Sequence, residues 1–178
     1  FTHIFDEATN SELTLNVDYY HNANTTANDQ KTFTRTLAAS EWIPSTRLVD
    51  SDNKVNIWSA KADYEATVFN FARLEAGAKW ALSKTANTTS RAETGPSAVN
   101  TDTRFKYREN IGAASFSLAA QFGPKWSAKA GLRGEYTNSL GDWITAGDQS
   151  KRSYFDLFPT AFVGFNPSAA LRFSVSYT

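Results

Sequence analysis

Polar and apolar residues alternate at period two along most of this chain, and no uninterrupted hydrophobic run is longer than three residues (Ala161-Phe162-Val163 is one). Alternation at that period places apolar side chains on one face of a pleated strand and polar ones on the other. A helix spanning a bilayer needs about 20 consecutive apolar residues, so no such helix and no signal-peptide core is expected. Strands are therefore the expected element, and a β-barrel that crosses a membrane stays open as a class, because its strands need only about 9–11 residues each.

The alternation is clearest in five places. Leu13, Leu15, Val17 and Tyr19 interleave with Glu12, Thr14, Asn16 and Asp18. Trp58, Ala60, Ala62 and Tyr64 interleave with Ser59, Lys61 and Asp63. Leu74, Ala76, Ala78, Trp80 and Leu82 face away from Arg73, Glu75, Gly77, Lys79 and Ser83. Trp126, Ala128, Ala130, Leu132 and Tyr136 oppose Ser127, Lys129, Gly131, Arg133 and Glu135. Leu171, Phe173, Val175 and Tyr177 oppose Arg172, Ser174 and Ser176. Three further segments are less regular. Lys31 to Ser40 carries only Phe33 and Leu37 on one parity. Arg104 to Gln121 changes parity midway, from Phe105, Tyr107 and Ile111 to Phe116 and Leu118, which a β-bulge near Gly112 would explain. Ser153 to Phe165 contains Pro159, which has no N–H for a ladder and is expected at a bulge or where the strand leaves the sheet.

These segments make an antiparallel meander of about eight amphipathic strands, 1–178 forming a single β-barrel segment with no plug domain. Its connections alternate in length. Short links are expected at Asn22 to Gln30, around Phe69-Asn70, at Gly123-Pro124 and at Asn166-Pro167-Ser168; longer polar links at Glu41 to Lys54, Lys84 to Thr103 and Asn138 to Arg152. Outer-membrane barrels have short periplasmic turns at one end and longer extracellular loops at the other. With the hairpin of the third and fourth strands turning near Val68, Asp63 would lie opposite Arg73, and Lys61 opposite Glu75.

Composition helps decide what the two faces meet. The chain has 178 residues with Lys+Arg and Asp+Glu at 18 each, no cysteine, and 14% aromatics. Neutral charge argues against a nucleic-acid partner, and the lack of cysteine excludes disulfides, thiol nucleophiles and Cys-zinc sites. The apolar parity is often alanine (Ala60, Ala62, Ala76, Ala78, Ala128, Ala130) where a packed core would prefer Val, Ile or Leu. Trp and Tyr flank these runs, as amphipathic rings do at headgroup level. On this reading Trp58, Tyr64, Leu74, Trp80, Trp126, Leu132, Tyr136, Phe173 and Tyr177 face lipid or its interface. Lys61, Asp63, Arg73, Glu75, Lys79, Lys129, Arg133, Glu135 and Arg172 line the lumen.

Several stretches resemble a known family: LTLNVDYY (Leu13 to Tyr20), WSAKADYE (Trp58 to Glu65), LEAGAKW (Leu74 to Trp80), FKYRENIGAASFSLAAQF (Phe105 to Phe122), KAGLRGEYTN (Lys129 to Asn138) and YFDLFPTAFVGFNPSAALRFSVSYT (Tyr154 to Thr178). In this order they are similar to the barrel of Bacteroidota TonB-dependent outer-membrane receptors. The resemblance implies energy-coupled solute uptake in the outer membrane of a Gram-negative bacterium, through a 22-stranded barrel plugged by an N-terminal domain. It also places Leu157-Phe158-Pro159 within a barrel strand. The chain starts at Phe1, carries no plug or TonB-interacting segment, and ends at Thr178 without a terminal aromatic, so a piece of a larger receptor is expected. Its partners would be the lipid bilayer and a solute such as a siderophore, glycan or peptide, with the plug and TonB system in the full-length receptor. Two alternatives stand beside this: a complete small eight-stranded outer-membrane protein with a structural or adhesive role, and a soluble β-barrel or sandwich that binds a ligand.

No enzyme is expected. G-x-S-x-G, H-E-x-x-H, P-loop and G-x-G-x-x-G motifs are all missing from the sequence. His3 and His21 have no carboxylate cluster at ligand spacing, His21 being expected at the periplasmic end, so neither a metal nor another cofactor is implied. Glu75 and Glu135 could be imagined as an acid/base pair, but basic neighbours on their own parity make them wall charges. Asn24-Thr25-Thr26 and Asn87-Thr88-Thr89 match glycosylation sequons, which carry no weight in a bacterial barrel.

Overall fold

The computed structural model describes residues 1–6, 9–35, 41–95, 98–168 and 170–178, and nearly all of them belong to one antiparallel sheet. Its strands are β1 (Thr2–Asp6), β2 (Ser11–Thr34), β3 (Ile43–Val68), β4 (Ala72–Thr94), β5 (Thr101–Phe122), β6 (Trp126–Trp143), β7 (Asp148–Ser168) and β8 (Leu171–Tyr177). Their spatial order is their sequence order, so the sheet is a meander of eight strands with β1 and β8 as its two edges. From β2 to β7 the strands are 18 to 26 residues long, about twice what a bilayer requires.

Very little is buried. Among the described residues only Ser11, Ala66, Ala72, Thr137, Gly141 and Gly164 are buried, while Val17 is 77% exposed and Phe155 60%. The accessible surface is 12898 Å², against about 8,600 Å² for a compact monomer of this mass. Backbone hydrogen bonding therefore holds the sheet, and among the described residues nothing packs against its apolar face.

The register shows how far the alternation extends. Val17, Ala60, Trp80, Gly112, Tyr136 and Phe155 form one cross-strand row, and Leu13, Tyr64, Ala76, Phe116, Leu132 and Pro159 another. Rows of this parity are apolar from Phe122, Trp126, Phe165 and Phe173 at one end to the Val17–Phe155 row at the other; the next row is Tyr19, Trp58 and Leu82 on β2–β4 but Asn110, Asn138 and Ser153 on β5–β7. Beyond that level the same face becomes polar (Asn56, Lys84, Arg108), yet the strands continue.

This continuation corrects the connections. The link expected at Asn22 to Gln30 is strand: residues 22–30 stay paired with β3, from Asn22↔Val55 to Gln30↔Arg47. The two segments expected on either side of it are one strand, β2, except that residues 36–40 lie outside the described residues. The eighth strand is made up instead by β1, which the alternation did not reveal. Most of Glu41 to Lys54, Lys84 to Thr103 and Asn138 to Arg152 is likewise strand: the ladders run on to Thr34, Thr94 and Trp143 and resume at Ile43, Thr101 and Asp148. Where both faces of a strand meet water, nothing forces polar and apolar side chains to alternate, and the period-two signal fades although the ladder persists.

The tight turns at Phe69-Asn70 and Gly123-Pro124 stand where expected. Phe69, Asn70 and Gly123 take positive φ of 55°, 61° and 65°, as short hairpin turns demand. At Gly112 there is no bulge: the ladders to β4 and β6 are both unbroken from Phe105 to Ala120. Parity changes because Phe105, Tyr107 and Ile111 lie on the polar face toward the far end, where Phe105 packs on Trp143 with ring centroids 5.0 Å apart. Pro159 sits in an unbroken ladder with β6, while β8 pairs only with residues 161–168 of β7. Among the described residues its other side carries no ladder bond that its missing N–H would break.

Candidate functional site

Each face of the sheet is a separate chemical surface. On the polar face, β3 supplies Lys61 and Asp63, β4 supplies Arg73, Glu75 and Lys79, β6 supplies Lys129, Arg133 and Glu135, and β8 supplies Arg172. All these residues share one parity of the register. Trp58, Tyr64, Leu74, Trp80, Trp126, Leu132, Tyr136, Phe173 and Tyr177 all share the other.

The expected cross-strand charge pairs are not formed. Direct partners are Asp63↔Gly77, Lys61↔Lys79, Glu65↔Glu75 and Thr67↔Arg73. The hairpin turns through Phe69, Asn70 and Phe71 with Val68 paired to Ala72, which displaces the expected register by four residues. An even displacement keeps every side chain on its face, so the face assignment survives while the pairing changes. Like charges directly opposite destabilise a ladder, and diagonal neighbours offset that here. Arg73 bonds Glu65 and lies 3.5 Å from Glu75. Lys129 Nζ donates to Glu75 Oε2 at 2.7 Å, as does Ser117 Oγ at 3.0 Å. Lys61 pairs with Asp63 at 2.7 Å and Arg133 with Glu135 at 2.8 Å. Among the described residues Lys79 and Arg172 have no ion-pair partner.

The result is a chain of alternating charge, Glu65, Arg73, Glu75 and Lys129, running across β3 to β6. It borders an open cleft of about 270 Å³ lined by Asp63, Glu75, Lys129, Arg133, Ser115 and Thr160. Such a surface offers donors and acceptors of both signs to a polar solute, and Glu75 and Glu135 both bond to cations. Glu65 and Ser117 belong to this surface although no motif marked them; their parity with Asp63 and with Ser115 was the available signal. Phe158 and Asp156 on β7 also share it, opposite Arg133 and Glu135. They were hard to find because β7 is apolar on both faces, with Phe155, Leu157 and Val163 on the other side.

On the apolar face, two aromatic belts bound the band. Trp126 stacks on Phe165 with centroids 4.3 Å apart at one edge, and Tyr19 meets Trp58 at 4.1 Å at the other. Ten residue steps separate Ala72 from Leu82, about 33 Å along the strand. A barrel-like tilt of about 40° makes that about 25 Å of height, the apolar height of an outer-membrane barrel.

Among the described residues no group of three or more His, Cys, Asp and Glu is placed to hold a metal ion. His21 is not at the short-turn end; it lies well inside β2 toward the far end, its Nδ1 2.8 Å from Asn56 Oδ1. His3 packs between Phe1 and Phe5 on β1. At the far end of the polar face, Tyr107 donates to Glu109 at 2.8 Å; that carboxylate, together with burial, holds the phenol above its ordinary pKa.

An antiparallel meander with one apolar face of bilayer height, aromatic belts at its edges and an ion-paired opposite face defines the wall of an outer-membrane β-barrel. The model of the outer membrane protein beta-barrel family matches residues 3–178, and the chain belongs to that family. It is an outer-membrane protein, and the soluble alternative is thereby set aside. No curated protein matches it. Among solved structures it is similar to the ferric citrate transporter FecA in its unliganded form, with a TM-score of 0.54 at 14% identity. That match covers 89% of this chain and 26% of the transporter, so the chain spans about a quarter of that protein's length. At this identity the likeness is one of fold.

Proposed function

We propose that these residues form part of the barrel wall of a TonB-dependent outer-membrane receptor of the Bacteroidota, one that takes up a solute such as a siderophore, glycan or peptide. The observation that carries this reading is the ion-paired polar face extending over several long strands behind an apolar band of membrane height. Family membership and the likeness to a transporter barrel support it. Lys61, Asp63, Arg73, Glu75, Lys79, Lys129, Arg133, Glu135 and Arg172 line the lumen in this proposal, where the plug and the passing solute meet them. Trp58, Tyr64, Leu74, Trp80, Trp126, Leu132, Tyr136, Phe173 and Tyr177 meet lipid. The short turns face the periplasm, and the far-end hairpins carry the strands beyond the outer leaflet. The chain catalyses no reaction and carries no cofactor in this reading; the TonB system supplies the energy. A closed eight-stranded barrel would require β8 to pair with β1, and the open sheet lends that alternative no support.

Two measurements test the proposal. The sequence has no cysteine, so single cysteines at Lys79 and Ala78 in the intact protein report on the two faces. A small water-soluble maleimide should label the first and leave the second untouched, and equal labelling refutes the wall geometry. Uptake of a panel of labelled siderophores, oligosaccharides and peptides, by cells with and without the protein, tests transport. Uptake that survives collapse of the proton gradient removes the energy-coupled reading.

A further inference from the structure

Most polar-face cations of the band are ion-paired, Lys79 and Arg172 excepted among the described residues. On the polar face Lys61, Arg73, Lys129 and Arg133 each contact a carboxylate. On the opposite face, just beyond the apolar band, Lys54, Lys84, Lys106 and Arg108 converge from β3, β4 and β5. All four are exposed, and none has an ion-pair partner among the described residues. They border a cleft of about 330 Å³ completed by Leu140 and Asp142. Asp142 is the cross-strand partner of Lys106 without closing an ion pair, and the nearby Asp52 accepts from Thr25 Oγ1 at 2.6 Å. The cleft therefore keeps a surplus of positive charge that the protein leaves unneutralised.

Beneath it, on the same face, runs a second depression of about 680 Å³. Its floor is Gly112, Ala114 and Gly134, and its walls include Phe116, Leu132 and Phe155. Gly112 has open space where a side chain would be, and the Phe155 ring lies 3.0 Å from the place a Cβ on Gly134 would take. Arg108, Asn110, Gly112 and Ala114 follow one another along this face of β5, so the cations stand about 13 Å above the start of the groove. Between them Asn110 leaves its Oδ1 without a hydrogen-bond partner.

A cluster of free cations over an apolar slot matches an amphiphile with a phosphorylated head and an acyl tail. We propose that the lipid-facing side of β3–β7 holds one phosphorylated lipid of the outer leaflet, its phosphate on Lys54, Lys84, Lys106 and Arg108 and an acyl chain in the Gly112–Gly134 groove. The inference rests on the membrane-wall reading above, because only there does this face meet a bilayer with the cations at headgroup level. Basic side chains at a membrane surface attract anionic headgroups, and four in one cleft hold a phosphate more tightly than scattered ones would.

The test uses the intact protein carrying these residues, purified in neutral detergent and exposed to lipid A, a phosphorylated disaccharide lipid, or to the same lipid with its phosphates removed. Native mass spectrometry counts bound lipids. One phosphorylated lipid should be retained and the dephosphorylated one should not. Lys84→Gln and Lys106→Gln should each weaken retention about fivefold, whereas Lys79→Gln on the polar face should not. Gly112→Leu fills the groove without touching a charge and should also weaken retention. Equal retention by Lys84→Gln, Lys106→Gln and wild type, or equal retention of both lipids, overturns the headgroup site. Displacement of the lipid by millimolar inorganic phosphate alone would mean a free-phosphate site and also overturns it. Quenching of tryptophan fluorescence by brominated acyl chains, in phosphatidylcholine vesicles, separates the two levels. Quenching without lipid selectivity removes this site alone; no quenching removes the membrane wall and this site with it.

Discussion

Replacing Ala78 by arginine asks what surrounds the apolar face. Ala78 is exposed in the sheet, paired with Ala62 and Ala114, so an arginine there meets no steric obstacle. In water such a change is worth within about 0.5 kcal/mol. The membrane reading gives a different magnitude. Six steps from Ala72 at about 3.3 Å each, tilted by about 40°, put Ala78 about 15 Å up a band of about 25 Å, within about 3 Å of its midplane. Arginine facing lipid at that depth costs about 2–4 kcal/mol, or about 30- to 900-fold in the unfolding equilibrium. Ala60, paired with Trp80 in the upper belt, is about 5 Å inside the edge, and Ala60→Arg should cost only about 1 kcal/mol. Ala113→Arg, on the polar face between Lys79 and Glu135, should be near neutral. The assay is urea unfolding of the intact protein in phospholipid vesicles, followed by tryptophan fluorescence. Equal costs at the three positions, or the largest at Ala113, would refute the placement of lipid against this face.

Three further outcomes follow from the geometry. Arg73→Ala should cost about 1 kcal/mol, because the side chain is over half exposed and surface pairs are weak; adding Glu65→Gln should restore part of that loss, and a double-mutant cycle in the unfolding assay measures it. Gly123→Ala should destabilise by about 1–2 kcal/mol, since Gly123 has a φ of 65°, whereas Gly112→Ala should not; thermal melts in detergent distinguish the two. At the far end of β4, Arg91 and then Arg47 hold the Glu93 carboxyl below its ordinary range. A carboxylate with a lowered pKa in the fold stabilises it above the unfolded value and loses that contribution as pH falls through the lowered one. Hydrogen exchange at the β3–β4 far end should therefore accelerate on acidification through the carboxylate range in the wild type. It should change less in Glu93→Gln, and identical profiles would remove the linkage.

Residues inside the membrane band declared themselves in the sequence because lipid on one side and water on the other force alternation. That is why Ala76 against Glu75, or Leu132 against Arg133, could be placed on opposite faces without coordinates. It is also why the candidates for each face share one parity of the register. Residues 22–30 could not be placed in the same way. They are polar on both parities, and only hydrogen bonding to β3 makes them strand. Charge pairing was equally hidden: a register displaced by four residues leaves the faces intact but exchanges every partner, so Arg73 meets Glu65 and Glu75, not Asp63 across the ladder.

The sequence by itself determined the element type and the parity of each side chain within the band, because these depend on the solvent next to a residue and on its immediate neighbours. Tertiary structure alone decided the register, the length of the strands beyond the bilayer and the gathering of Lys54, Lys84, Lys106 and Arg108. Those depend on which backbone groups meet across the sheet, and a ladder can bring together side chains that are far apart in the chain.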